Sequence, residues 1–348
     1  MHESGKTICI IEGDGVGKEV IPAAVEVLKS VLPETRFIWA EAGWECFQKH
    51  GTSVPQATLQ AIRSCGAALF GAVSSPAHKV EGYRSAIITM RQELDLYANI
   101  RPVRSLPKVS TRQDVDLVIV RENTEGLYAG REHLESGAFL GETAIAERVI
   151  TRNASRRIAL RALEVLRLMG KNRLTIVHKA NILPITDGLF RDTVQASIKA
   201  ARHPEETFSV DELLVDTAAY KLVSQPEKIE VMVTTNLFGD ILSDCASHWC
   251  GGMGLAPSLN WGEQAAIAEP VHGSAPDIAG KGIANPIAAI LSTAMLVRYV
   301  WKQNDVAERI ENAVRQALEE DIPSENGQIS SSTNGLTELI TQAILNHL

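Results

Sequence analysis

The stretch TICIIEGDGVGKEVIPAAVEVLKSVL, residues 7–32, combines three features that decide the fold. The run TICII is short and rich in β-branched residues, which is typical of a strand. Three glycines follow, Gly13, Gly15 and Gly17, and an amphipathic stretch from Glu19 to Leu32 comes after them. This order predicts a strand, a tight turn and a helix.

The same alternation of strand-like and helix-like segments continues along the chain. The later strand-like runs are TRFIWA (35–40), AALFGA (67–72), VDLVIV (115–120), RLTIVH (173–178) and VMVTTN (231–236). Three of them, VDLVIV, RLTIVH and VMVTTN, are apolar on consecutive residues, as expected for strands covered by helices on both faces. We therefore predict an α/β fold with a large, mostly parallel sheet.

The glycine turn, defined as residues 13–17, does not match the dinucleotide-binding fingerprint. That fingerprint places a third glycine where this chain has Lys18, so the standard Rossmann fold is rejected. A tight turn with a backbone-lined ligand pocket and a purely structural turn both remain open at this point.

Length and composition limit the class of protein. A chain of 348 residues with 45% hydrophobic residues is long enough for two domains. Its net charge of −8 and pI near 5.7 disfavour a surface for nucleic acid or anionic membranes. The apolar stretch 287–301 is shorter than a bilayer requires. Five scattered cysteines without CxxC spacing favour reduced thiols and a cytoplasmic location.

Two interruptions of the pattern indicate the domain limits. The first is PVRSLPKVSTRQD (102–114), and the second contains Gly251, Gly252 and Gly254. We predict a larger cofactor-binding domain of residues 1–104 and 252–348, and a smaller domain of residues 105–251 carrying the dimer interface. The thin hydrophobic pattern from about 126 to 150 predicts an arm, and a cleft is expected between the domains.

Four arginines occur at helix and strand-end positions that face a ligand in parallel sheets: Arg84, Arg91, Arg101 and Arg121. Arginine suits bidentate carboxylate binding, and converging guanidinium groups need an anionic ligand or acidic neighbours. These arginines predict a substrate that carries carboxylates; separate surface ion pairs are the alternative.

Asp240 and Asp244 lie four residues apart in NLFGDILSD and share a helix face, where like charges repel. Mg²⁺ or Mn²⁺ would relieve the repulsion, with Asp216 as a possible third ligand. The alternative is that Asp240 caps the helix and Asp244 is solvated. The nearby Cys245, His248 and Cys250 lack a fourth ligand, which disfavours zinc.

Two further residues suit proton transfer, and one loop suits a cofactor. Lys179 follows the strand RLTIVH, where burial would lower the pKa of a lysine, and Tyr128 is the available phenol. The loop His272–Asp277 is built from small residues that allow close backbone approach. Asp277 could accept from a ribose hydroxyl and would repel a 2′-phosphate.

The longest motifs carry a resemblance to a known family. IEGDGVGKE (11–19), RQELDLYANIRP (91–102), VRENTEGLY (120–128), HKANILP (178–184), TTNLFGDILSD (234–244), GLAPS (254–258) and EPVHGSAPDIAGKGIANP (269–286) occur in this order. They resemble the metal-dependent β-decarboxylating dehydrogenases that oxidise isocitrate, homoisocitrate or 3-isopropylmalate. The resemblance implies a two-domain fold distinct from the Rossmann fold and a homodimer or higher homo-oligomer whose active site is shared between subunits.

The resemblance also implies roles for individual residues. Tyr128, Lys179 and Asp216 are expected to be catalytic, and Asp216, Asp240 and Asp244 to bind the metal, with one carboxylate from the partner subunit. The expected substrate-binding residues are Ser75, Arg84, Ser85, Arg91, Arg101 and Arg121. The expected cofactor-binding residues are Ile11, Asn181, Glu269, His272, Gly273, Ser274, Ala275, Asp277, Ile278 and Asn285. The residues at 277 and 278 indicate NAD rather than NADP.

The implied reaction is oxidation of a hydroxy-tricarboxylate followed by loss of CO₂. Lys179, assisted by Asp216, removes the hydroxyl proton as hydride passes to NAD⁺, and Tyr128 protonates the metal-held enolate. Isocitrate enzymes that resemble this chain have Ser and then Asn two residues on; Ser85 is kept, but Ile87 stands at the second position. The run FGAVSSPAHKVEGYRSAI (70–87) most resembles homoisocitrate dehydrogenases, and Arg84 with Ser85 fits the apolar lid of isopropylmalate enzymes poorly. Homoisocitrate therefore ranks first, isocitrate second and 3-isopropylmalate third, and relaxed specificity remains open. A non-catalytic regulatory subunit is disfavoured because all five catalytic and metal-binding residues are present.

Overall fold

The computed structural model describes residues 6–78, 80–137, 141–325, 328–329 and 335–348. The strands are β1 Thr7–Gly13, β2 Arg36–Trp39, β3 Ala67–Ala72, β4 Ala98–Arg104, β5 Asp116–Glu122, β6 Glu132–Gly137, β7 Gly141–Ala146, β8 Arg173–His178, β9 Ser209–Leu214, β10 Val231–Thr234, β11 Pro257–Trp261, β12 Ala266–Pro270, β13 Ser324–Glu325 and β14 Gln328–Ile329. The helices are α1 Gly17–Val31, α2 Trp44–His50, α3 Gln56–Cys65, α4 Ala86–Glu93, α5 Arg152–Leu168, α6 Thr186–Ala201, α7 Val215–Ser224, α8 Asn236–Ala246, α9 Ile287–Met295, α10 Asn304–Glu320 and α11 Leu336–Asn346.

The chain divides into two compact units. Unit 1 comprises Met1–Leu96, Pro102–Asp114 and Ser247–Leu348, and unit 2 comprises Tyr97–Arg101 and Val115–Ala246. Each unit combines strands and helices, and each is described by itself below.

Unit 1 contains the strand order β2-β1-β3-β12-β11. Strand β1 pairs in parallel with β2 and β3, β3 pairs in parallel with β12, and β11 runs antiparallel to β12. Strand β3 is buried along its whole length because helices pack on the sheet, and Val20, Ala24 and Leu28 of α1 are fully buried. Consecutive apolar residues in these strands are thus explained by cover on two faces.

Unit 2 contains the strand order β4-β5-β10-β8-β9. Strand β10 pairs in parallel with β5 and β8, and β8 pairs in parallel with β9. Leu117, Ile119 and Val233 are fully buried in its core. Because β5, β10, β8 and β9 run in one direction, the residues that follow their carboxyl ends lie along one edge.

The predicted α/β class with a mostly parallel sheet is confirmed. Each of the six quoted strand-like runs overlaps a strand of the structure, namely β1, β2, β3, β5, β8 and β10. The apolar stretch after residue 286 forms α9 and a π-helical turn, Leu296–Val300, and Ile287, Ile290 and Val297 are fully buried. Among the described residues, no helix is long and apolar enough to span a membrane. The stretch expected to form an arm contains β6 and β7, which pair with each other as a two-stranded antiparallel ribbon.

Candidate active site

Helix α8 begins beside polar residues at the carboxyl ends of β5 and β10 in unit 2. Strand β5 ends with Arg121 and Glu122, and Arg121 pairs in register with Thr234 at the end of β10. Helix α8 begins two residues after Thr234, so its first turns lie beside Arg121. This placement follows from the parallel pairing of β5 and β10.

Arg101 and Arg121 both face the aspartate pair, defined as Asp240 and Asp244. Arg101 Nη1 donates to Asp244 Oδ1 at 2.6 Å, and Arg101 Nη2 lies 3.7 Å from Asp240 Oδ1. Arg121 forms a hydrogen-bonded ion pair with Asp240 and donates from Nη2 to Asn236 Oδ1 at 2.7 Å. The repulsion expected between the two aspartates is therefore offset by two guanidinium groups of the same unit.

These contacts take place in surroundings that exclude much of the solvent. Arg101 and Arg121 are 8% and 1% exposed. Buried guanidinium groups need partners, because an unpaired buried charge costs several kcal/mol. Arg101 also donates from Nε to Asn99 Oδ1 at 2.7 Å and from Nη1 to Ser243 Oγ at 2.8 Å. The two arginines are thus fixed in position by several bonds each.

Gly239 is the residue of α8 that admits Arg121. A Cβ at this position would lie 2.6 Å from Arg121 Cγ and 2.7 Å from Arg121 Cβ. Helix interiors normally disfavour glycine. The absence of a side chain here lets the arginine pass close to the helix.

Tyr128 completes this cluster. Its hydroxyl donates to Asp240 Oδ2 at 2.5 Å, and the Arg121 Cζ lies 5.2 Å from the centre of its ring. Burial and the Asp240 carboxylate raise the pKa of Tyr128, although the Arg121 guanidinium opposes the shift. The phenol is therefore protonated at neutral pH and is suited to give up a proton.

Lys179 and Asp216 form a second pair in unit 2. Strands β8 and β9 are parallel and end in register at His178 and Leu214, so the residues that follow them come together. Lys179 Nζ donates to Asp216 Oδ1 at 2.7 Å. This hydrogen bond holds the pKa of the Asp216 carboxyl below its usual value.

The main chain of Lys179 is held by a buried carboxylate. Asp187, which is 0% exposed, accepts from the Lys179 N–H at 2.6 Å. The other oxygen of Asp187 lies 2.6 Å from Arg148 Nη1. Arg148 also donates to Thr235 Oγ1 at 2.8 Å, and Thr235 immediately precedes α8. Sequence reasoning missed both residues, because no local pattern shows that they pair.

The donor chemistry of the aspartates fits a hard divalent cation. Asp240 and Asp244 offer carboxylate oxygens one helical turn apart, and their side chains are 29% and 48% exposed. Asp216 is more exposed, at 64% of its side chain, and lies on α7 with Tyr220 and Val223 at helical spacing. In the described part of the chain, the three aspartates of one copy do not form a three-ligand cluster; the group that does is Glu41, Cys46 and His50.

In unit 1 the glycine turn lies against the His272 loop. Gly13 and Gly15 have φ of +74° and +56°, and a Cβ on Gly15 would lie 2.1 Å from the Ser274 carbonyl oxygen. The Val16 N–H donates to the same oxygen at 2.9 Å. Ser74 and Ser274 are hydrogen-bonded through their hydroxyls at 2.8 Å. The glycine turn is thus in direct contact with the loop that was predicted to bind the cofactor.

The two ring nitrogens of His272 have different surroundings. Its Nδ1 lies 2.9 Å from the Gly273 carbonyl oxygen, whereas its buried Nε2 has no hydrogen-bond partner among the described residues. Burial lowers the pKa of His272. The imidazole is therefore neutral, with Nε2 as an acceptor, which fits a hydroxyl or amino donor of a nucleotide.

The remaining predicted cofactor residues fall into different settings. Asp277 is exposed, Ile278 is half-buried and donates its N–H to the Ala275 carbonyl at 3.1 Å, and Asn285 accepts from the Ile287 N–H at 3.0 Å. Gly273 is exposed. Asn181 is exposed in the turn after Lys179, within unit 2. Ile11 is fully buried in the core with Phe70 and Ile267, so its side chain packs there and a cofactor contact would have to use its main chain.

Arg91 and Glu269, predicted to bind substrate and cofactor respectively, are bonded to each other. Arg91 Nη2 donates to Glu269 Oε1 at 3.0 Å, and Arg91 Nε donates to Asn260 Oδ1 at 3.0 Å. Asn260 Nδ2 donates to the same Glu269 oxygen at 2.7 Å. This network is buried within unit 1 and gives Arg91 counter-charge inside its own unit.

The substrate loop, residues 74–91, is held by hydrogen bonds at Ser74 and at Arg84. The Tyr83 hydroxyl donates to the Ser74 carbonyl at 3.1 Å, and Ser53 Oγ donates to the Arg84 carbonyl at 2.5 Å. Ser75 and the Arg84 side chain are exposed, and Arg84 donates to Gln92 at 3.2 Å. Ser85 precedes α4 as its N-cap, and Ile87 packs against the core.

Asp14, which lies between the glycines, also escaped the sequence-based interpretation. Asp14 is 1% exposed, and its carboxylate accepts from the N–H groups of Trp44, Glu45 and Ser74 at 2.7, 3.0 and 2.9 Å. It thereby joins the glycine turn to α2 and to the substrate loop. An aspartate between glycines after a strand was the available signal.

Comparison with known proteins gives the relationship of the chain. The sequence model described as isocitrate/isopropylmalate dehydrogenase matches residues 7–344. The chain belongs to the isocitrate/isopropylmalate dehydrogenase family. It is 50% identical over 97% of its length to an isocitrate/homoisocitrate dehydrogenase of Thermus thermophilus, covering 98% of that protein. It is 47% identical over 89% of its length to a homoisocitrate dehydrogenase of Methanocaldococcus jannaschii, covering 90% of that protein.

Solved structures agree with this relationship. The isocitrate dehydrogenase of Methylococcus capsulatus superimposes with a TM-score of 0.89 at 40% identity, covering 98% of this chain and 99% of that one. The resemblance seen in the motifs is confirmed, and the fold is that of this family. As a member of the isocitrate/isopropylmalate dehydrogenase family, the chain is a β-decarboxylating dehydrogenase. Enzymes of this family act on small hydroxy acids and generally use NAD(P) and a divalent metal.

Proposed function

We propose that this enzyme catalyses the NAD- and divalent-metal-dependent oxidative decarboxylation of homoisocitrate to 2-oxoadipate and CO₂, a reaction of lysine biosynthesis. The observation that carries the proposal is the cluster of Arg101, Arg121 and Tyr128 around the aspartate pair. It combines carboxylate-binding groups, a protonated phenol and hard oxygen ligands within one unit. These are the groups that oxidation and decarboxylation of a hydroxy-polycarboxylate require.

In this proposal the guanidinium groups of Arg101 and Arg121 bind carboxylates of the substrate. Both are buried and pre-positioned by Asn99, Ser243 and Asn236, so little side-chain entropy is lost on binding. Arg91, Arg84, Ser75 and Ser85 are proposed as further substrate ligands.

Two groups carry the proton transfers. Lys179 Nζ is proposed to take the proton of the substrate hydroxyl as hydride leaves the carbon that bears this hydroxyl. Asp216 orients that nitrogen through the 2.7 Å hydrogen bond. Tyr128 is proposed to donate its phenolic proton to the carbon left after CO₂ departs, and its raised pKa keeps that proton in place until then.

Asp216, Asp240 and Asp244 are proposed to hold Mg²⁺ or Mn²⁺, with Asp216, together with the Lys179 that it bonds in the same chain, supplied by the partner subunit. A divalent cation in such a site supplies Lewis-acid polarisation of the keto oxygen. Asp216 shares an exposed stripe of α7 with Tyr220 and Val223, which are 71% and 67% exposed, and Ile241 of α8 is 55% exposed. Exposed apolar residues around an active-site carboxylate support a homodimer in which this surface is covered.

NAD is proposed as the cofactor. It would contact the glycine turn and the His272 loop, where Nε2 of His272 is an acceptor without a protein partner. The exposed carboxylate of Asp277 suits a ribose 2′-hydroxyl and disfavours the phosphate of NADP. The five free cysteines support a cytoplasmic location.

Homoisocitrate is preferred because of the substrate loop. Ile87 packs against the core, so the second polar side chain that isocitrate enzymes place here is missing, whereas Arg84 remains exposed for a longer carboxylate arm. Isocitrate is the second candidate, favoured by Ser85, and the purely apolar side chain of 3-isopropylmalate suits Arg84 and Ser85 least.

The test is kcat/KM for homoisocitrate, isocitrate and 3-isopropylmalate, each with NAD⁺ and Mg²⁺. We expect homoisocitrate to give the largest value. A larger value for isocitrate or 3-isopropylmalate would overturn the substrate assignment. Absence of turnover with all three would instead favour a regulatory subunit that binds ligand without reaction.

A further inference from the structure

Helix α2 and the residues before it carry three metal-ligating side chains that the reaction does not use. The ligand atoms of Glu41, Cys46 and His50 all lie within 4.8 Å of one another. They offer a carboxylate oxygen, a sulfur and an imidazole nitrogen. We propose that these three residues form a binding site for a borderline-soft divalent cation, Zn²⁺ by preference, separate from the aspartate pair.

The helical spacing explains why the sulfur and the imidazole face the same point. Cys46 and His50 are four residues apart on α2, so their side chains share one face. Zn²⁺ bonds sulfur at about 2.3 Å and nitrogen or oxygen at about 2.0–2.1 Å, which puts tetrahedral ligands roughly 3.3–3.6 Å apart. Closing from 4.8 Å to that spacing requires the ligand atoms to approach one another by an ångström or so.

The backbone around the site is already fixed. Thr58, a buried residue, donates its hydroxyl to the Glu41 carbonyl at 2.8 Å. Asp14 accepts from the N–H groups of Trp44 and Glu45 and so anchors the start of α2. Gly51 ends the helix in the left-handed conformation, with φ of +72°. The three ligands are therefore presented from an ordered frame, which reduces the cost of assembling a site.

The present partners of Glu41 do not block a cation. Glu41 Oε2 lies 2.9 Å from His50 Nε2, so the carboxylate and the imidazole already meet. Glu41 Oε1 accepts from Lys49 at 2.9 Å, but the Lys49 side chain is 64% exposed. Exposed ion pairs of this kind contribute little, and the lysine can move into solvent when a cation takes the carboxylate.

An open pocket adjoins two of the three ligands. Its lining includes Glu41 and Cys46, the acidic Glu12 and Glu45, and the basic Lys18 and Lys49, which pair with Glu45 and Glu41. Three carboxylates against two ammonium groups leave an excess of negative charge, which favours a cation, and the opening leaves a fourth position for water. Three protein ligands with one open position are a common zinc arrangement.

The donor set separates this site from the aspartate pair. Asp240 and Asp244 provide oxygen only, which suits Mg²⁺ or Mn²⁺, whereas a thiolate and an imidazole select softer ions. Burial raises the pKa of the Cys46 thiol, so a bound metal must displace its proton. The proposed test is therefore run at mildly alkaline pH.

The experiment is a titration of the chelator-treated full-length protein with Co²⁺, a spectroscopic substitute for Zn²⁺. We expect a thiolate-to-cobalt charge-transfer band at one equivalent, and we expect Zn²⁺ to displace it. Cobalt bound by the aspartates alone would give no such band. The readout does not depend on catalysis, so it stands whether or not the substrate assignment is correct.

Variants assign the band to its ligands. Cys46→Ser should abolish it, and His50→Gln and Glu41→Gln should each weaken Co²⁺ binding at least about tenfold, as loss of one ligand predicts. Because His50 and Glu41 are exposed, those two variants are expected to fold even if Cys46→Ser is unstable. Cys245→Ser is the matched control, since Cys245 follows Asp244 directly. No band, a band that survives Cys46→Ser, or a band lost in Cys245→Ser would overturn the proposal.

Discussion

The Asp187 carboxylate lies 2.6 Å from the Arg148 guanidinium, and Asp187 has no exposed surface. The same carboxylate accepts the Lys179 N–H, while Arg148 bonds Thr235 and lies 4.7 Å from the centre of the Phe238 ring. One ion pair thus holds the proposed base and the beginning of the helix that carries the aspartate pair. Its effect on the reaction is through positioning, since neither side chain belongs to the proposed substrate ligands.

Asp187→Asn is expected to destabilise the protein by about 3 kcal/mol, because it leaves the Arg148 guanidinium, whose side chain is only 16% exposed, without its counter-ion. Chemical unfolding measures this change. The matched control is Asp192→Asn, which breaks the exposed pair with Arg191 and should cost under about 1 kcal/mol. Equal effects of the two substitutions would contradict the importance given to the buried pair.

Tyr128→Phe is expected to lower kcat by at least about 100-fold, since it removes a proton donor while keeping the ring beside Arg121. Steady-state NADH formation measures the loss, and an unchanged Tm shows that the fold is kept. Because the pKa of Tyr128 is raised, the alkaline loss of activity in the natural enzyme should lie above the ordinary phenol range. A variant with normal kcat would remove Tyr128 from the proton transfer.

Gly239→Ala should impair both substrate binding and stability, because Arg121 passes close to α8 at this residue. The new Cβ would meet Arg121 Cγ at 2.6 Å and displace the guanidinium, so we expect KM to rise about tenfold and stability to fall by about 1–3 kcal/mol. Gly188→Ala in α6 is the control, because nothing lies within 4 Å of its Cβ. That change should leave KM unaffected and stabilise the helix by about 0.5–1 kcal/mol.

The double substitution Asp277→Lys with Ile278→Tyr is expected to shift the ratio of kcat/KM for NAD⁺ and NADP⁺ toward NADP⁺. A lysine replaces a carboxylate that repels the 2′-phosphate with a group that attracts it. Asp305→Lys, an exposed acidic residue at the start of α10, makes the same charge change elsewhere. If both proteins changed preference equally, net charge rather than the His272 loop would explain the result.

Treatment with a chelator is expected to stop turnover without unfolding the protein. Arg101 and Arg121 already compensate the aspartate pair, so we expect Tm to change by less than about 2 °C, which corresponds to about 1 kcal/mol in a chain of this size. Added Mg²⁺ or Mn²⁺ should restore activity. Full activity in excess chelator would exclude the proposed metal dependence.

The fold was predictable from the sequence because most strands have a recognisable local pattern of apolar residues. Runs such as VDLVIV are apolar on consecutive residues, here from Leu117 to Val120, and this pattern requires cover on both faces. The positions of Arg121 and Lys179 at strand ends followed from the same reasoning. The prediction was wrong for Arg101, which lies within β4 rather than at its end. The boundaries of the strands and helices shifted by a few residues, as in β10, which ends at Thr234 before Asn236 begins α8.

The partners of these residues were not predictable, because pairing is set by the sheet rather than by sequence neighbours. Repulsion between Asp240 and Asp244 suggested a cation, but Arg101 supplies part of the charge from 143 positions away. Asp187 and Arg148 were missed for the same reason. Ile11 was predicted to bind the cofactor because it lies in a family motif. The motif did not reveal that its side chain is enclosed by the core.

Arg101 and Arg121 bond the aspartate pair and are also proposed to bind substrate carboxylates, so the binding of substrate and the binding of the divalent cation are coupled. A substrate carboxylate that engages either guanidinium weakens its bond to an aspartate, and the released aspartate then attracts a dication more strongly. By thermodynamic reciprocity the dication must tighten substrate affinity to the same extent. Substrate and cation should therefore bind with positive cooperativity. Each should bind the ligand-free protein more weakly than it binds the protein that already holds the other.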